Sequence, residues 1–264
     1  MRTLCLSNLK LDDISIIGKL VTLEILSIRD SKLGELPVEI GKLTNLIMLE
    51  LQNGYVKLKG ISAGVLSRLV RLEELRIVGV EDCSQSTLRE VESLSRLTAL
   101  ALSIYSGDVI YSNLGLSSKL TRYALTVGRA YKATSSMDDY DKNIALKVTE
   151  TAPLGDWICH LLKESEYVDS RGKGSNNVLT ELQLNEFQNL KCLSLCECDI
   201  VTHLLKTTHE VIKFPNLYVV ELKCLECLTY FCSDNVEGIE FPRLRKLTFN
   251  RVPEFQNFWP ATNN

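Results

Sequence analysis

This sequence of 264 residues has no long apolar run, no excess of basic charge, and little glycine or proline. No run reaches the roughly 18 apolar residues of a transmembrane helix, so we expect no transmembrane segment. The formal net charge of -3 argues against a nucleic-acid partner. With only 14 glycines and 6 prolines in a chain that is 45% hydrophobic, a folded protein is expected rather than a disordered one.

A secretion signal is also missing from the first residues, MRTLCLSNLK, which do not follow the charged-then-apolar layout of a signal peptide. They look instead like a strand of the repeat described below, so we expect the chain to begin inside a repeat array. The nine cysteines are then predicted to be reduced thiols of a cytoplasmic protein rather than disulfides.

Sequence motifs of nucleotide sites and hydrolases are absent. The chain contains no G-x-x-x-x-G-K-[ST], no G-x-S-x-G and no H-E-x-x-H. Its three histidines, His160, His203 and His209, are scattered and have no evident triad partners. We therefore expect no enzymatic activity and no cofactor.

The spacing of the clustered cysteines does not favour metal binding. Cys192 and Cys196 are four strand residues apart, roughly 13 Å, which is too far to share one tetrahedral ion. Together with Cys198, Cys224 and Cys227 they do not form the two C-x-x-C pairs of a zinc site, since only Cys224 and Cys227 have that spacing. Structural cysteines are favoured, with Cys198 supporting a turn, and zinc or redox sensing are the alternatives.

A second candidate for a metal is the acidic stretch formed by Asp138, Asp139 and Asp141. It lacks the glycine and the distal glutamate of an EF-hand loop. We favour an exposed loop over residues 131–143, and a second exposed loop over the Gly-, Ser- and Asn-rich residues 170–177.

What the chain does contain is a repeated pattern of leucines. In LVTLEILSIRDSKLGELPVEIGKL, Leu26 and Ile28 have strand spacing, whereas Leu20, Leu23 and Leu26 are three apart, as in a turn that leads into a strand. Equivalent leading leucines at 20, 43, 69 and 94 are 23, 26 and 25 residues apart. This is the pattern of leucine-rich repeats, which bury their apolar faces only by stacking on neighbours.

Later in the chain the pattern weakens and then returns in a longer form. Residues 154–165, LGDWICHLLKES, have the spacing of an amphipathic helix, which we expect to cover one side of an irregular repeat, with partner docking as the alternative. Residues 167–170 are predicted to form a strand. Phe187, Phe214 and Phe241 are each 27 apart and open the related phrases FQNLKCLSL, FPNLYVVEL and FPRLRKLTF, while Phe255, Phe258 and Trp259 are expected to cover the last edge.

The predicted fold is therefore an α/β leucine-rich-repeat solenoid, with a curved parallel sheet on the concave face and short helices and loops on the convex face. Regular repeats are expected over 1–127, irregular repeats with the helix and loops over 128–186, and longer repeats over 187–264. Because strand side chains alternate between faces, those between the leucines must point outward. The predicted partner-binding residues on that concave face are Arg29, Met48, Glu50, Gln52, Glu74, Arg76, Ser194, Glu221, Lys223, Lys246 and Asn250.

Two phrases resemble a known family. LPVEIGKLTNLIMLEL resembles the repeats of plant coiled-coil, nucleotide-binding, leucine-rich-repeat disease-resistance proteins, and LKVTETAPLGDWICHLLKESEYVDS followed by FQNLKCLSL resembles their irregular C-terminal repeats. Ser170 replaces an apolar residue of that family pattern, so a distorted strand is expected there. The coiled-coil and nucleotide-binding domains that define the receptor are not in this sequence.

The resemblance implies a recognition and autoinhibition module. Its partners would be a pathogen effector or a guarded host protein, and the nucleotide-binding domain of the parent receptor. The alternative is a leucine-rich-repeat adaptor scaffold, such as the substrate-recognition arm of a ubiquitin ligase. That reading calls for an F-box-like helical segment, and none precedes the first repeat in this sequence.

Overall fold

The computed structural model describes residues 1–52, 58–78, 85–116, 119–128, 141–184, 187–205, 211–233 and 237–260. The predictions for Asp138, Asp139 and His209 lie outside these ranges. The chain divides into two compact units, the first formed by Met1–Val109 and Asn113–Arg129, the second by Ile110–Ser112 and Ala130–Asn264. Each unit is described separately below.

The first unit is built from parallel strands connected by short helical turns. Its strands are, in chain order, β1 (Thr3–Ser7), β2 (Lys10–Leu11), β3 (Ile25–Arg29), β4 (Lys32–Leu33), β5 (Glu35–Leu36), β6 (Met48–Gln52), β7 (Gly60–Ile61), β8 (Glu74–Val78), β9 (Ala99–Ile104) and β10 (Arg122–Val127). Strands β1, β3, β6, β8, β9 and β10 lie side by side in that order. The shorter β2 pairs with β4, and β5 pairs with β7.

The leucine pattern sets the register of this sheet. Leu26 of β3 aligns with Leu49 of β6, which aligns with Leu75 of β8, and all three are fully buried. Since each of these three strands adds one such leucine to the same row, the rows stack into a continuous core, as the repeat spacing predicts.

Short helices return the chain from one strand to the next. The 3-10 helices span Ser15–Lys19, Val38–Lys42 and Leu66–Arg68, a further one spans Gly107–Tyr111, and the α-helix α1 spans Gln85–Ser93. Successive turns approach closely at Gly18, where an added Cβ would lie 2.5 Å from the carbonyl oxygen of Glu39. The glycine of the I-G-K-L phrase therefore permits the turns to stack.

The second unit repeats this arrangement with longer repeats. Its strands are β11 (Lys142–Lys147), β12 (Tyr167–Arg171), β13 (Cys192–Cys196), β14 (His203–Leu205), β15 (Val211–Lys213), β16 (Val219–Lys223), β17 (Tyr230–Cys232), β18 (Gly238–Glu240) and β19 (Lys246–Asn250), and its α-helices are α2 (Asp156–Glu164) and α3 (Ser175–Leu184). Strands β11, β12, β13, β16 and β19 form its parallel sheet. Pairs β14–β17 and β15–β18 lie apart from it.

The predicted amphipathic helix is confirmed. Helix α2 buries Trp157, Ile158, Leu161 and Leu162, the residues whose spacing identified it. The strand predicted at 167–170 is confirmed as β12.

Three local predictions in this region are wrong. Ser170 does not distort its strand, because it aligns with Leu146 and Leu195 and its hydroxyl donates to Ser175 Oγ at 2.8 Å. Residues 170–177 are not an exposed loop, since α3 begins at Ser175 and both serines are fully buried. The loop predicted over 131–143 is wrong at its C-terminal end, because Lys142 belongs to β11 and Asn143 is buried, while residues 131–140 lie outside the described ranges.

The phenylalanines that lead the long repeats form a stack. The rings of Phe187 and Phe214 are 4.3 Å apart, and those of Phe214 and Phe241 are 4.8 Å apart. At the C-terminal end, the ring of Phe255 lies 4.5 Å from Phe249 of β19, and Phe258 lies 5.5 Å from Phe231. Phe255 and Phe258 thus pack on the last repeats, as predicted, whereas Trp259 is 38% exposed.

Candidate protein-binding face

Arg29 of β3 and Glu50 of β6 form an ion pair on the outward side of the first unit's sheet. Arg29 Nε donates to Glu50 Oε2 at 2.7 Å, and the hydroxyl of Ser27 donates to the same oxygen at 2.6 Å. Glu50 is only 1% exposed, whereas the Arg29 side chain is 53% exposed. The carboxylate therefore serves as a buried anchor that orients an exposed guanidinium.

The pairing of Glu50 with Arg29 favours the charged form of both side chains. Burial disfavours the carboxylate of Glu50, but the hydrogen bonds from Arg29 and Ser27 outweigh it, and the pKa of Glu50 is lowered overall. The pKa of Arg29 is raised by its hydrogen bond to Glu50. Among the described residues no donor reaches Glu50 Oε1.

A second group of charges lies on β8 and β10. Glu74 accepts from Arg76 Nε at 2.6 Å and from Arg122 Nη2 at 3.4 Å. The side chains of Arg76 and Arg122 are 44% and 53% exposed. One carboxylate thus holds two arginines of the same face.

The sequence predicted which side of the sheet these side chains face, but not how deeply each of them is buried. Gln52 is exposed and Met48 is half-buried, whereas Glu50 is buried beneath its neighbours. Glu50 therefore contributes to the face by positioning Arg29 rather than by direct contact. Arg122 was missed, although its alignment with Ala99 of β9 follows from the same alternation.

The second unit carries a related arrangement at β16 and β19. Glu221 accepts from Lys223 Nζ and, at 3.0 Å, from Lys246 Nζ. The hydrogen bonds from these two lysines lower the pKa of Glu221. Asn250 is exposed at the end of β19 and aligns with Lys223.

Nearer the start of that sheet the outward positions are buried. Ser194, Cys192 and Cys196 of β13 are between 5% and 8% exposed. Ser194, proposed as a contact residue, is therefore not accessible. Sequence reasoning also missed the ion pair between Asp169 and Arg171, whose Oδ2 and Nε atoms are 3.2 Å apart.

The cysteines at Cys192 and Cys198 occupy buried, structural positions. Cys198 is fully buried, and its Sγ donates to the carbonyl oxygen of Cys196 at 3.2 Å, which is the predicted turn-supporting role. Burial raises the pKa of Cys198 to about 11 and that of Cys192 to about 12, so these thiols stay protonated at neutral pH. Over the ranges that the structure describes, no three potential metal ligands come together.

The described part of the chain contains two of the three histidines, His160 and His203. His160 lies exposed on α2, and the His203 ring packs 5.7 Å from the Tyr230 ring, with Nδ1 3.0 Å from Thr202 Oγ1. No helix in the described part of the chain is long and apolar enough to cross a membrane.

Comparison with known proteins agrees with this architecture. Residues 1–122 match a protein family described as a leucine-rich repeat region. The crystal structure of an internalin from Listeria monocytogenes is similar in fold, with a TM-score of 0.50 and 13% identity over 97% of this chain and 72% of the internalin. No curated protein matches the chain.

The chain thus contains a leucine-rich-repeat domain, and its fold is the leucine-rich-repeat solenoid. Domains of this kind are typically protein-binding modules without enzymatic activity.

Proposed function

We propose that this domain is the protein-recognition module of a plant intracellular immune receptor, acting in the cytoplasm in pathogen-effector sensing and autoinhibition. The phrases LPVEIGKLTNLIMLEL and LKVTETAPLGDWICHLLKESEYVDS, which resemble that receptor class, support the receptor assignment. Their structural counterparts are a stacked 3-10 turn and the buried face of α2.

The observation that carries the binding role is the exposed guanidinium of Arg29 held by the buried carboxylate of Glu50. Burying a carboxylate beneath a sheet surface is costly unless it is well paired. A free-standing structural repeat gains little from such a pair, because a well-packed apolar residue stabilises as much. A fixed, exposed arginine is instead a common feature of protein interfaces.

In this proposal the outward side of the sheet has two uses. At rest it contacts the nucleotide-binding domain of the parent receptor and restrains it. On infection it recognises a pathogen effector, or a host protein altered by one, and the restraint is released. Both uses need an exposed, mixed-charge surface on a fixed scaffold, such as the one that Arg29, Gln52, Glu74 and Arg76 form in the first unit.

Co-precipitation with a separately expressed coiled-coil and nucleotide-binding fragment from the same source tests the proposal. Circular dichroism first verifies that both fragments are folded. We expect a complex with the wild-type domain. A folded domain that captures no such fragment contradicts the receptor assignment.

A further inference from the structure

The arginines of the first unit lie on a diagonal across the sheet. Arg29 aligns with Gln52 and Val78, so Arg76 is two strands away and two residues nearer the strand start. Arg76 aligns with Ala101 and Ala124, so Arg122 is again two strands away and two residues earlier. With about 4.8 Å between strands and 3.3 Å per residue, successive backbone positions on the diagonal are about 12 Å apart.

Two of these arginines keep their terminal nitrogens unpaired within the described chain. Arg29 and Arg76 each donate through Nε to a carboxylate of the same face, at 2.7 and 2.6 Å. Each guanidinium thus retains its two terminal amino groups, the fork that binds a carboxylate in a bidentate manner. The internal carboxylates fix the direction of Arg29 and Arg76 without occupying that fork, whereas Arg122 donates to Glu74 through one terminal nitrogen, Nη2, at 3.4 Å.

The surface beside the diagonal leaves room for a polypeptide. Ala99, which lies between Glu74 and Arg122, is buried, but Ala101 and Ala124 occupy partly exposed outward positions of β9 and β10 beside Arg76. Their short side chains let a partner's backbone approach the sheet, whereas longer ones would hold it away.

The charge pattern favours a protein partner over a nucleic acid. The partly exposed Glu74 lies next to Arg76 and Arg122 and would repel a continuous phosphate backbone, whereas separated carboxylates can be placed to avoid it. The whole chain carries a net charge of -3, yet arginines outnumber carboxylates on this face.

We infer that this diagonal of Arg29, Arg76 and Arg122 docks an acidic polypeptide segment, with carboxylates about 12 Å apart. That spacing corresponds to acidic residues about every three or four positions in an extended segment, or every seven or eight along a helix. The inference rests on the proposed function and specifies the chemistry of the partner.

A labelled poly-L-glutamate peptide is the probe, and its binding to the whole domain is followed by fluorescence anisotropy at low ionic strength. The test variant is the triple substitution Arg29→Ala, Arg76→Ala, Arg122→Ala. The matched control, Lys19→Ala, Lys42→Ala, Arg68→Ala, removes the same charge from exposed positions on the 3-10 turns. Circular dichroism verifies that both variants fold.

We expect the dissociation constant to rise about tenfold or more in the diagonal variant and less than about twofold in the control. Added salt should weaken the wild-type complex, because exposed charges are screened. Three results overturn the inference: no binding by the wild type, equal weakening in both variants, or tighter binding of a poly-dT oligonucleotide than of the peptide.

The two proposals fail separately. If the nucleotide-binding fragment is captured equally by the wild type and the diagonal variant, the receptor assignment stands and the acidic-segment inference fails. If the peptide binds as expected but the fragment is not captured, the docking chemistry stands and the receptor assignment fails.

Discussion

Replacing Leu195 with alanine probes the leucine register where it is most constrained. Leu195 lies in β13 between Ser170 of β12 and Leu222 of β16, and all three are fully buried. The strands on both sides are held by parallel backbone pairing, so the surrounding structure has little freedom to collapse into the space left by the missing atoms. Buried Leu→Ala substitutions cost about 2–5 kcal/mol, and poor relaxation places this one in the upper half of that range.

Urea unfolding followed by tryptophan fluorescence measures this effect. Both tryptophans, Trp157 and Trp259, belong to the second unit, so the signal reports the unit that carries the substitution. The control is Ile200→Ala, because Ile200 is 45% exposed and its truncation should cost less than about 1 kcal/mol. If Leu195→Ala lowers the free energy of unfolding by less than about 1 kcal/mol, with the same slope against urea concentration, the predicted strand register at Leu195 is refuted.

Three further predictions concern buried polar groups and thiols. Ser175→Ala should lower the free energy of unfolding in urea by about 1–3 kcal/mol, because it leaves the buried hydroxyl of Ser170 without its acceptor. The variant with both Ser170→Ala and Ser175→Ala should lose less stability than the sum of the two single losses, and a fully additive loss would contradict the hydrogen bond. The pKa of Glu50 is lowered by folding, so its stabilisation is present above the unfolded value of 4.5 and is lost as the pH falls through the lower folded pKa. Glu50→Gln should therefore flatten the acid limb of a stability-against-pH curve, and an unchanged limb would contradict the pairing. At pH 8, mass spectrometry should find iodoacetamide on exposed Cys5 well before buried Cys192, whose pKa is about 12, and equal labelling of both in the native protein would contradict the burial.

The sequence predicted the repeating frame of the fold because one leucine spacing controls both strand position and core packing. Leu26, Leu49 and Leu75 lie where that spacing places them, and the 27-residue period of Phe187, Phe214 and Phe241 corresponds to a stack of rings. A helix with a clear apolar stripe, such as α2, is predictable for the same reason.

The segment 170–177 was mispredicted because glycine and serine are used there for close packing rather than for exposure. Gly172 has a φ of +93°, and a Cβ at Gly174 would lie 2.1 Å from the carbonyl oxygen of Glu150. Asn177 Nδ2 donates to the carbonyl oxygen of Ala152 at 2.7 Å. Composition alone does not distinguish a tight connection of this kind from a solvated loop.

For the candidate binding face, the sequence predicted which side chains point outward but not which of them are buried. Alternation along a strand fixes which side a residue faces, and Arg29, Gln52, Arg76 and Lys246 lie exposed on that side. Whether a residue there is covered depends on side chains from neighbouring strands, which are more than 20 positions away in the chain. The burial of Glu50 under Arg29 is a contact of this kind.

The central claim, that the outward side of the sheet binds a protein, is tested most directly by measuring the affinity of the co-precipitating nucleotide-binding fragment for three proteins. These are the wild-type domain, the diagonal variant lacking Arg29, Arg76 and Arg122, and the turn variant lacking Lys19, Lys42 and Arg68. The account predicts a dissociation constant at least about tenfold higher for the diagonal variant, with the turn variant close to wild type. Equal affinities for all three folded proteins would show that the partner binds elsewhere and would contradict the account.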